Sequence, residues 1–142
     1  VDLAFFLCGK PLRVQTFVKG SLDWHPASAV FTGAGETDKE ALFSYHANWK
    51  SPGRWWLEIL TSKRRLIFRP LEKLQVQNIG SIEICDVPLD DDLDKMFKPG
   101  LFLQVQDFVN GKYSRFVTID EQAELLSNVY LPMSGYSLAG DD

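Results

Sequence analysis

The sequence predicts an α+β fold in which helices cover one face of a large, mainly antiparallel sheet and the other face stays open. Strand-like segments follow one another between residues 12 and 87, and helical periodicity is confined to the two ends of the chain. The strand–helix alternation that a parallel sheet requires is missing. With 142 residues, the chain is predicted to form a single domain with its own core.

The first predicted element is a short apolar helix over residues 1–7. Gly9 can end it in the left-handed conformation, and Pro11 prevents its continuation. Because this helix has almost no capping sequence before it, we expect the chain to be the later part of a longer protein. The alternative is an ordinary N-terminal helix packed on a core.

Seven segments have the β-branched or alternating composition of strands. They are residues 12–18, 27–32, 41–49, 54–61, 66–69, 74–77 and 82–87. We expect a turn at residues 33–38 and a tight hairpin turn at residues 50–53, where Pro and Gly occupy favourable positions. The order predicts an antiparallel meander.

The clearest alternation, in residues 41–49, puts Leu42 and His46 on the mixed face of the predicted sheet. Leu60, in the next strand, is expected on the same face. A sheet face this apolar is seldom left in water. We therefore predict that Leu42, His46 and Leu60 form a contact between copies of the chain in a homo-oligomer.

Two helices are predicted near the end of the chain. Pro99 suits the first position of a helix over residues 99–109, because its missing N–H is not needed there. Thr118 and Glu121 form a capping-box pattern that opens the second helix. Pro132 and Gly135 are expected to end it.

The charge pattern argues against nucleic acid as a partner. The chain has 15 basic and 19 acidic residues and a net charge of −4, whereas phosphate backbones need a basic surface. The basic run 63–65 and the acidic run 90–94 are interpreted as a solvated turn and a solvated connector. The last residues, through 140–142, are predicted to be a loose tail.

No stretch approaches the roughly 20 apolar residues that span a bilayer, so no membrane partner is predicted. Cys8 and Cys85 lie far apart in sequence, which favours free thiols and a cytoplasmic protein. No ligand spacing typical of a metal site is present, and no metal is expected.

No catalytic residue is predicted in this chain. Gly33 and Gly35 lack the third glycine and the following helix that phosphate binding requires, so no cofactor is expected here. His25 and His46 are general acid or base candidates by residue type. The preferred interpretation makes His46 an interface residue and His25 a loop residue packed by Pro26.

Trp49, Trp55 and Trp56 flank the predicted hairpin turn. They can stack on a sugar ring or serve as core and interface anchors. Because neighbouring side chains of a strand point to opposite faces, we favour one tryptophan in the core and one in an interface.

Four segments together resemble the C-terminal domain of the glucose-fructose oxidoreductase / inositol dehydrogenase / rhizopine catabolism family. The segment 49–55, W-K-S-P-G-R-W, resembles the W-x-x-P-G-R-W hairpin of some members. Residues 69–72, R-P-L-E, follow at a similar spacing. The helix opening at 98–108 and the entry segment 1–11 are similar to K-P-G-L-x-x-Q-x-x-x-F and D-L-x-x-x-L-x-G-x-P.

This resemblance implies that a Rossmann domain binding NAD or NADP, with the catalytic residues, lies before Val1. The chain itself would then supply substrate binding and oligomerisation for a sugar or polyol oxidoreductase. Trp24, His25 and Trp49 are the expected pocket residues, through stacking and hydroxyl hydrogen bonds. The alternative is a non-catalytic α+β binding or scaffold module that dimerises through its sheet.

Overall fold

The computed structural model describes residues 1–136, and the predicted tail lies outside the described residues. The α+β class is confirmed. The strands are β1 (Pro11–Lys19), β2 (Val30–Thr37), β3 (Leu42–Asn48), β4 (Leu57–Leu60), β5 (Arg64–Phe68), β6 (Leu74–Asn78) and β7 (Cys85–Val87). The helices are α1 (Asp2–Cys8), α2 (Asp92–Met96), α3 (Leu101–Val109), α4 (Ile119–Leu125) and α5 (Leu131–Met133).

The strands belong to two antiparallel sheets, where the sequence predicted one. The first has the order β1-β2-β3 and the second the order β4-β5-β6-β7. The predicted hairpin at residues 50–53 does not pair β3 with β4. The Asn48 Oδ1 accepts a hydrogen bond from the Lys50 N–H at 3.0 Å, which turns the chain at the end of β3. The next strand begins only at Leu57.

The chain forms two compact units. The first contains Val1–Pro52 and the C-terminal segment from Val117, and the second contains Gly53–Phe116. The first unit therefore holds the three-stranded sheet with α1, α4 and α5. The second unit holds the four-stranded sheet with α2 and α3.

The predicted turn at residues 33–38 is wrong, because residues through Thr37 belong to β2. Gly33 lies between Thr16 of β1 and Tyr45 of β3 in the strand register. A Cβ atom at Gly33 would lie 2.6 Å from the Tyr45 hydroxyl oxygen and 2.7 Å from its ring. Gly35 is crowded in the same way by the Phe43 ring. The two glycines thus make room for aromatic side chains that cross β2.

The covered face of the first sheet is held to helices at both ends of the chain. The Phe5 ring of α1 meets the Phe43 ring of β3 edge to face, with centroids 5.1 Å apart. The Tyr45 hydroxyl donates to the Met133 carbonyl of α5 at 2.9 Å. Val129 and Met133 are buried apolar residues of this helical segment. This sheet face and the C-terminal helices form the core of the first unit.

The predicted capping box is confirmed. The Glu121 N–H donates to Thr118 Oγ1 at 3.2 Å, and the Thr118 N–H donates to Glu121 Oε2 at 2.8 Å. A π-helical turn at Leu126–Tyr130 connects α4 directly to α5. Pro132 therefore lies within α5 and does not end the helical segment, whereas Gly135, with a positive φ of 76°, follows its end as predicted.

Two helix predictions in the second unit need correction. The acidic run 90–94 contributes to α2, where Lys95 pairs with Asp91 one turn earlier at 2.6 Å and lowers the pKa of that carboxyl group. The helix predicted to start at Pro99 begins as α3 at Leu101. Gly100 precedes α3 in the left-handed conformation. Pro99 therefore lies outside the helix and does not occupy its first position.

Candidate functional site

The structure brings together Trp24, His25 and Trp49, the three residues predicted to line a pocket. The Trp24 and Trp49 rings meet edge to face with centroids 6.2 Å apart. The Trp24 and His25 rings are tilted by 60° with centroids 5.6 Å apart. We call these three residues the aromatic cluster. All three belong to the first unit.

Backbone contacts hold the two segments that carry the cluster. Leu22 and His25 form an isolated antiparallel bridge, which closes the loop around Trp24. The Trp49 N–H donates to the carbonyl of the buried Ala29 at 2.9 Å. This bond extends the β2–β3 ladder by one pair, so Trp49 stands beside the loop between β1 and β2.

The hydrogen bond at His25 fixes the proton position of its neutral ring. The Ala27 N–H donates to His25 Nδ1 at 3.0 Å, so Nδ1 acts as an acceptor. A neutral imidazole with an accepting Nδ1 carries its proton on Nε2. His25 therefore presents an N–H donor at Nε2, and its ring lies beside the Trp24 ring.

The cluster combines exposed indole rings with this donor. Trp24 is 70% exposed and Trp49 is 58% exposed, although each touches another aromatic ring. Aromatic side chains offer apolar faces and a polar edge, which suits ligands that combine C–H surfaces with hydroxyl groups. The arrangement can stack a polyhydroxylated ring and hydrogen-bond one of its oxygens.

The three residues predicted to form an oligomer contact do not share a sheet. Leu42 and His46 lie on β3, on the open face of the first sheet that also carries Phe17 of β1. Leu60 ends β4 in the second unit, where it is 77% exposed. The face assignment of Leu42 and His46 follows from the alternation of β3, but the predicted continuation to Leu60 depended on the hairpin that does not form.

Sequence reasoning missed a cleft in the second unit. It encloses about 380 Å³ and is lined by the segments 53–55 and 70–72. Arg54, Trp55 and Glu72 bring a cation, an indole ring and a carboxylate to its wall. The signal in the sequence was the pair of segments 49–55 and 69–72, which we used for the family resemblance without predicting that they line one cleft.

Among residues 1–136, no three His, Cys, Asp or Glu side chains are grouped closely enough to hold a metal ion. Within the same residues, no helix has the length and apolar character needed to cross a bilayer. Comparisons of the chain with protein-family models, curated proteins and solved structures find no match.

Proposed function

We propose that the chain is the substrate-binding and oligomerisation part of an NAD(P)-dependent sugar or polyol oxidoreductase of the cytoplasm. The observation that carries the proposal is the aromatic cluster, in which Trp24, His25 and Trp49 meet although Trp49 lies 24 residues after His25. The motif resemblance described above supplies the reaction class. The free thiols of Cys8 and Cys85 agree with a reducing compartment.

In this proposal each cluster residue has a separate role. Trp24 and Trp49 provide ring surfaces for the C–H face of the substrate. His25 donates from Nε2 to a substrate hydroxyl oxygen, while its Nδ1 remains occupied by the Ala27 N–H. These contacts orient the substrate and exclude water from one side of it.

The dinucleotide is assigned to another domain of the same protein. Gly33 and Gly35 do not fit a phosphate group, because both lie inside β2 and face Tyr45 and Phe43. A dinucleotide needs a glycine-rich turn that leads into a helix. NAD or NADP would accept or donate the hydride, and the residues of this chain would bind and orient the sugar or polyol.

The open face of the first sheet favours a second candidate function, a non-catalytic module that dimerises through its sheet. Leu42 is 84% exposed and Phe17 is 62% exposed on this face. Apolar side chains on a solvated sheet face are typical of an interaction surface. A scaffold module would use this face and would not need the aromatic cluster.

Ligand titration tests the primary proposal. Binding of D-glucose, myo-inositol and linear sorbitol to the chain is measured by calorimetry, with tryptophan fluorescence as a second readout. We expect at least one of them to bind. Trp24→Ala and Trp49→Ala should each weaken that binding about tenfold, because each removes a stacking surface.

Trp56→Ala is the matched control, because Trp56 is 55% exposed and belongs to the other unit. It should leave binding unchanged. Absence of binding for all three ligands, or equal losses for the cluster variants and the control, would overturn the assignment. A chain that dimerises but binds none of these ligands would support the scaffold module.

A further inference from the structure

The outer edge of β3 presents backbone groups that no other strand uses. The Trp49 N–H bonds to the Ala29 carbonyl and the Thr37 N–H bonds to the Ala41 carbonyl, both at 2.9 Å. Ala41 and Trp49 are the odd-numbered residues just before and just after β3, so the two bonds flank the β2–β3 ladder. Because antiparallel strands alternate their bonding direction, the odd residues point their N–H and C=O groups toward β2.

The even residues of β3 consequently point their backbone groups outward. Leu42, Ser44 and His46 have exposed side chains, and β3 is an edge strand of its sheet. Among residues 1–136, no backbone or side-chain group donates to or accepts from the backbone of these three residues across that edge. Three backbone N–H donors and three backbone C=O acceptors thus lie in a row along the edge.

The other sheet edges are protected from pairing and this one is not. Proline, charged side chains and short length are the devices that keep edge strands from joining other strands. The edge strand β1 carries Pro11, Arg13 and Lys19, while β4 and β7 have only four and three residues. In contrast, β3 has seven residues, no proline and no charged side chain.

We propose that β3 pairs with β3 of a second copy of the chain, antiparallel and across a two-fold axis at Ser44. Self-pairing puts each residue opposite a symmetric position, so a strand without charges opposes no like charges. Ser44 would face the partner's Ser44, and Leu42 would face the partner's His46. All six outward groups would then find partners, and the two three-stranded sheets would join into one of six strands.

A register shifted by two residues toward the end of β3 is less suitable. It would pair Leu42 with the partner's Asn48, but the Asn48 carbonyl already accepts the Ser51 N–H at 3.3 Å and its side chain accepts the Lys50 N–H. The two-fold register at Ser44 uses only groups that are free in the first unit.

A charge-exchange experiment tests both the partner and the register. Sedimentation over a wide range of concentrations should show that the unaltered chain dimerises. Ser44→Lys and Ser44→Asp should each raise the dimer dissociation constant about tenfold or more, because each places like charges opposite one another. Mixing the two variants should restore a heterodimer, because a lysine then faces an aspartate.

Ser44→Ala is the matched control, since it keeps the backbone N–H and adds no charge, and it should dimerise like the unaltered chain. Ser44 is exposed, and circular dichroism verifies that each charged variant remains folded. A monomeric unaltered chain overturns the proposal. Dimerisation that persists in both charged variants, or a mixture without a heterodimer, also overturns it.

A second variant separates edge pairing from association through the open face. Phe17→Lys changes the open face on β1, which is separated from the β3 edge by β2. Pairing through the edge predicts an unchanged dimer in this variant. Loss of the dimer in Phe17→Lys, with no effect of the Ser44 substitutions, would assign association to the face and leave polyol binding by the aromatic cluster unaffected.

Discussion

The phenolic oxygen of Tyr45 lies 2.6 Å from Thr16 Oγ1, although these residues belong to β3 and β1 and the strand β2 runs between them. Gly33 is the residue of β2 that stands between them in the register. Each hydroxyl oxygen also lies 2.9 Å from a main-chain carbonyl of the C-terminal helix, Thr16 from that of Pro132 and Tyr45 from that of Met133, so two hydroxyl protons are shared among three contacts. One pair of side chains thus joins β1 and β3, across β2, to the C-terminal helix.

Tyr45→Phe tests the contribution of this junction. The substitution keeps the ring and removes the hydroxyl that bonds to Thr16 and Met133. We expect the free energy of unfolding to fall by about 1 kcal/mol, the usual net value of such a bond. Urea unfolding measures it. Tyr113→Phe is the control, because Tyr113 is exposed and its hydroxyl makes no hydrogen bond among residues 1–136. An equal fall in the free energy of unfolding of this variant would contradict the role of Tyr45.

Gly33→Ala should destabilise the first unit. The added methyl group would meet the Tyr45 ring and the Gln15 carbonyl, and the backbone oxygen has little freedom to move. Overpacking of this kind costs about 1–3 kcal/mol. Thermal unfolding followed by circular dichroism gives the change. Ala34→Ser, at the exposed neighbouring position, should cost less than about 0.5 kcal/mol, and similar melting points for both variants would refute the crowding.

Alkaline pH should weaken the fold through two tyrosines. Burial raises the pKa of Tyr45, and the hydrogen bond to Asp2 raises the pKa of Tyr130. The native state therefore keeps these protons at pH values where the unfolded chain has lost them. The contribution of these two tyrosines to stability should be constant below the usual tyrosine pKa of about 10 and should be lost as the pH rises through the higher native values.

The Tyr45→Phe variant should lose less stability than the unaltered chain between neutral pH and strongly alkaline pH. Chemical unfolding at both values gives the difference for each protein. Tyr130→Phe should likewise lose less stability than the unaltered chain when the pH is raised. Identical alkaline losses in all three proteins would contradict the raised pKa values.

The capping box predicts sensitivity to acid at the start of α4. Bonds from the Thr118 N–H and Oγ1 to the Glu121 carboxylate lower the pKa of Glu121. This stabilisation is present above the unfolded pKa of Glu121 and is lost as the pH falls through the lower native value. Thr118→Ala should cost about 1 kcal/mol at neutral pH.

Urea unfolding at neutral and acidic pH checks the capping prediction. Thr118→Ser retains the capping hydroxyl and should behave like the unaltered chain. Glu121→Gln should lose the part of the acid dependence that comes from this carboxylate. The same pH dependence in Glu121→Gln and the unaltered chain would contradict the assignment.

The sequence was most informative where a signal is local. The capping box at Thr118, the stop of α1 at Gly9 and the two faces of β3 all depend on residues within one turn or one strand. Trp24 and Trp49 could be proposed as binding residues from their residue type. That their rings meet could not be predicted, because the contact depends on how β3 pairs with β2.

Two of the errors came from glycine and proline. Gly33 and Gly35 indicate a turn when they are considered alone, and only the Tyr45 and Phe43 rings across the strand show why glycine is needed there. Pro52 and Gly53 indicate a hairpin, but local turn chemistry does not determine whether the following strand pairs with β3 or with β5. Such pairings depend on contacts distant in sequence.

The space above Gly33 and Gly35 is closed from two sides. An added Cβ atom would meet the ring of Tyr45 or Phe43 and also the carbonyl oxygen of Gln15 or Arg13 on β1. A smaller ring would relieve only the first of these contacts, because the carbonyl oxygen belongs to the paired backbone. Naturally occurring variants should therefore keep both glycines even where the aromatic residue opposite has changed.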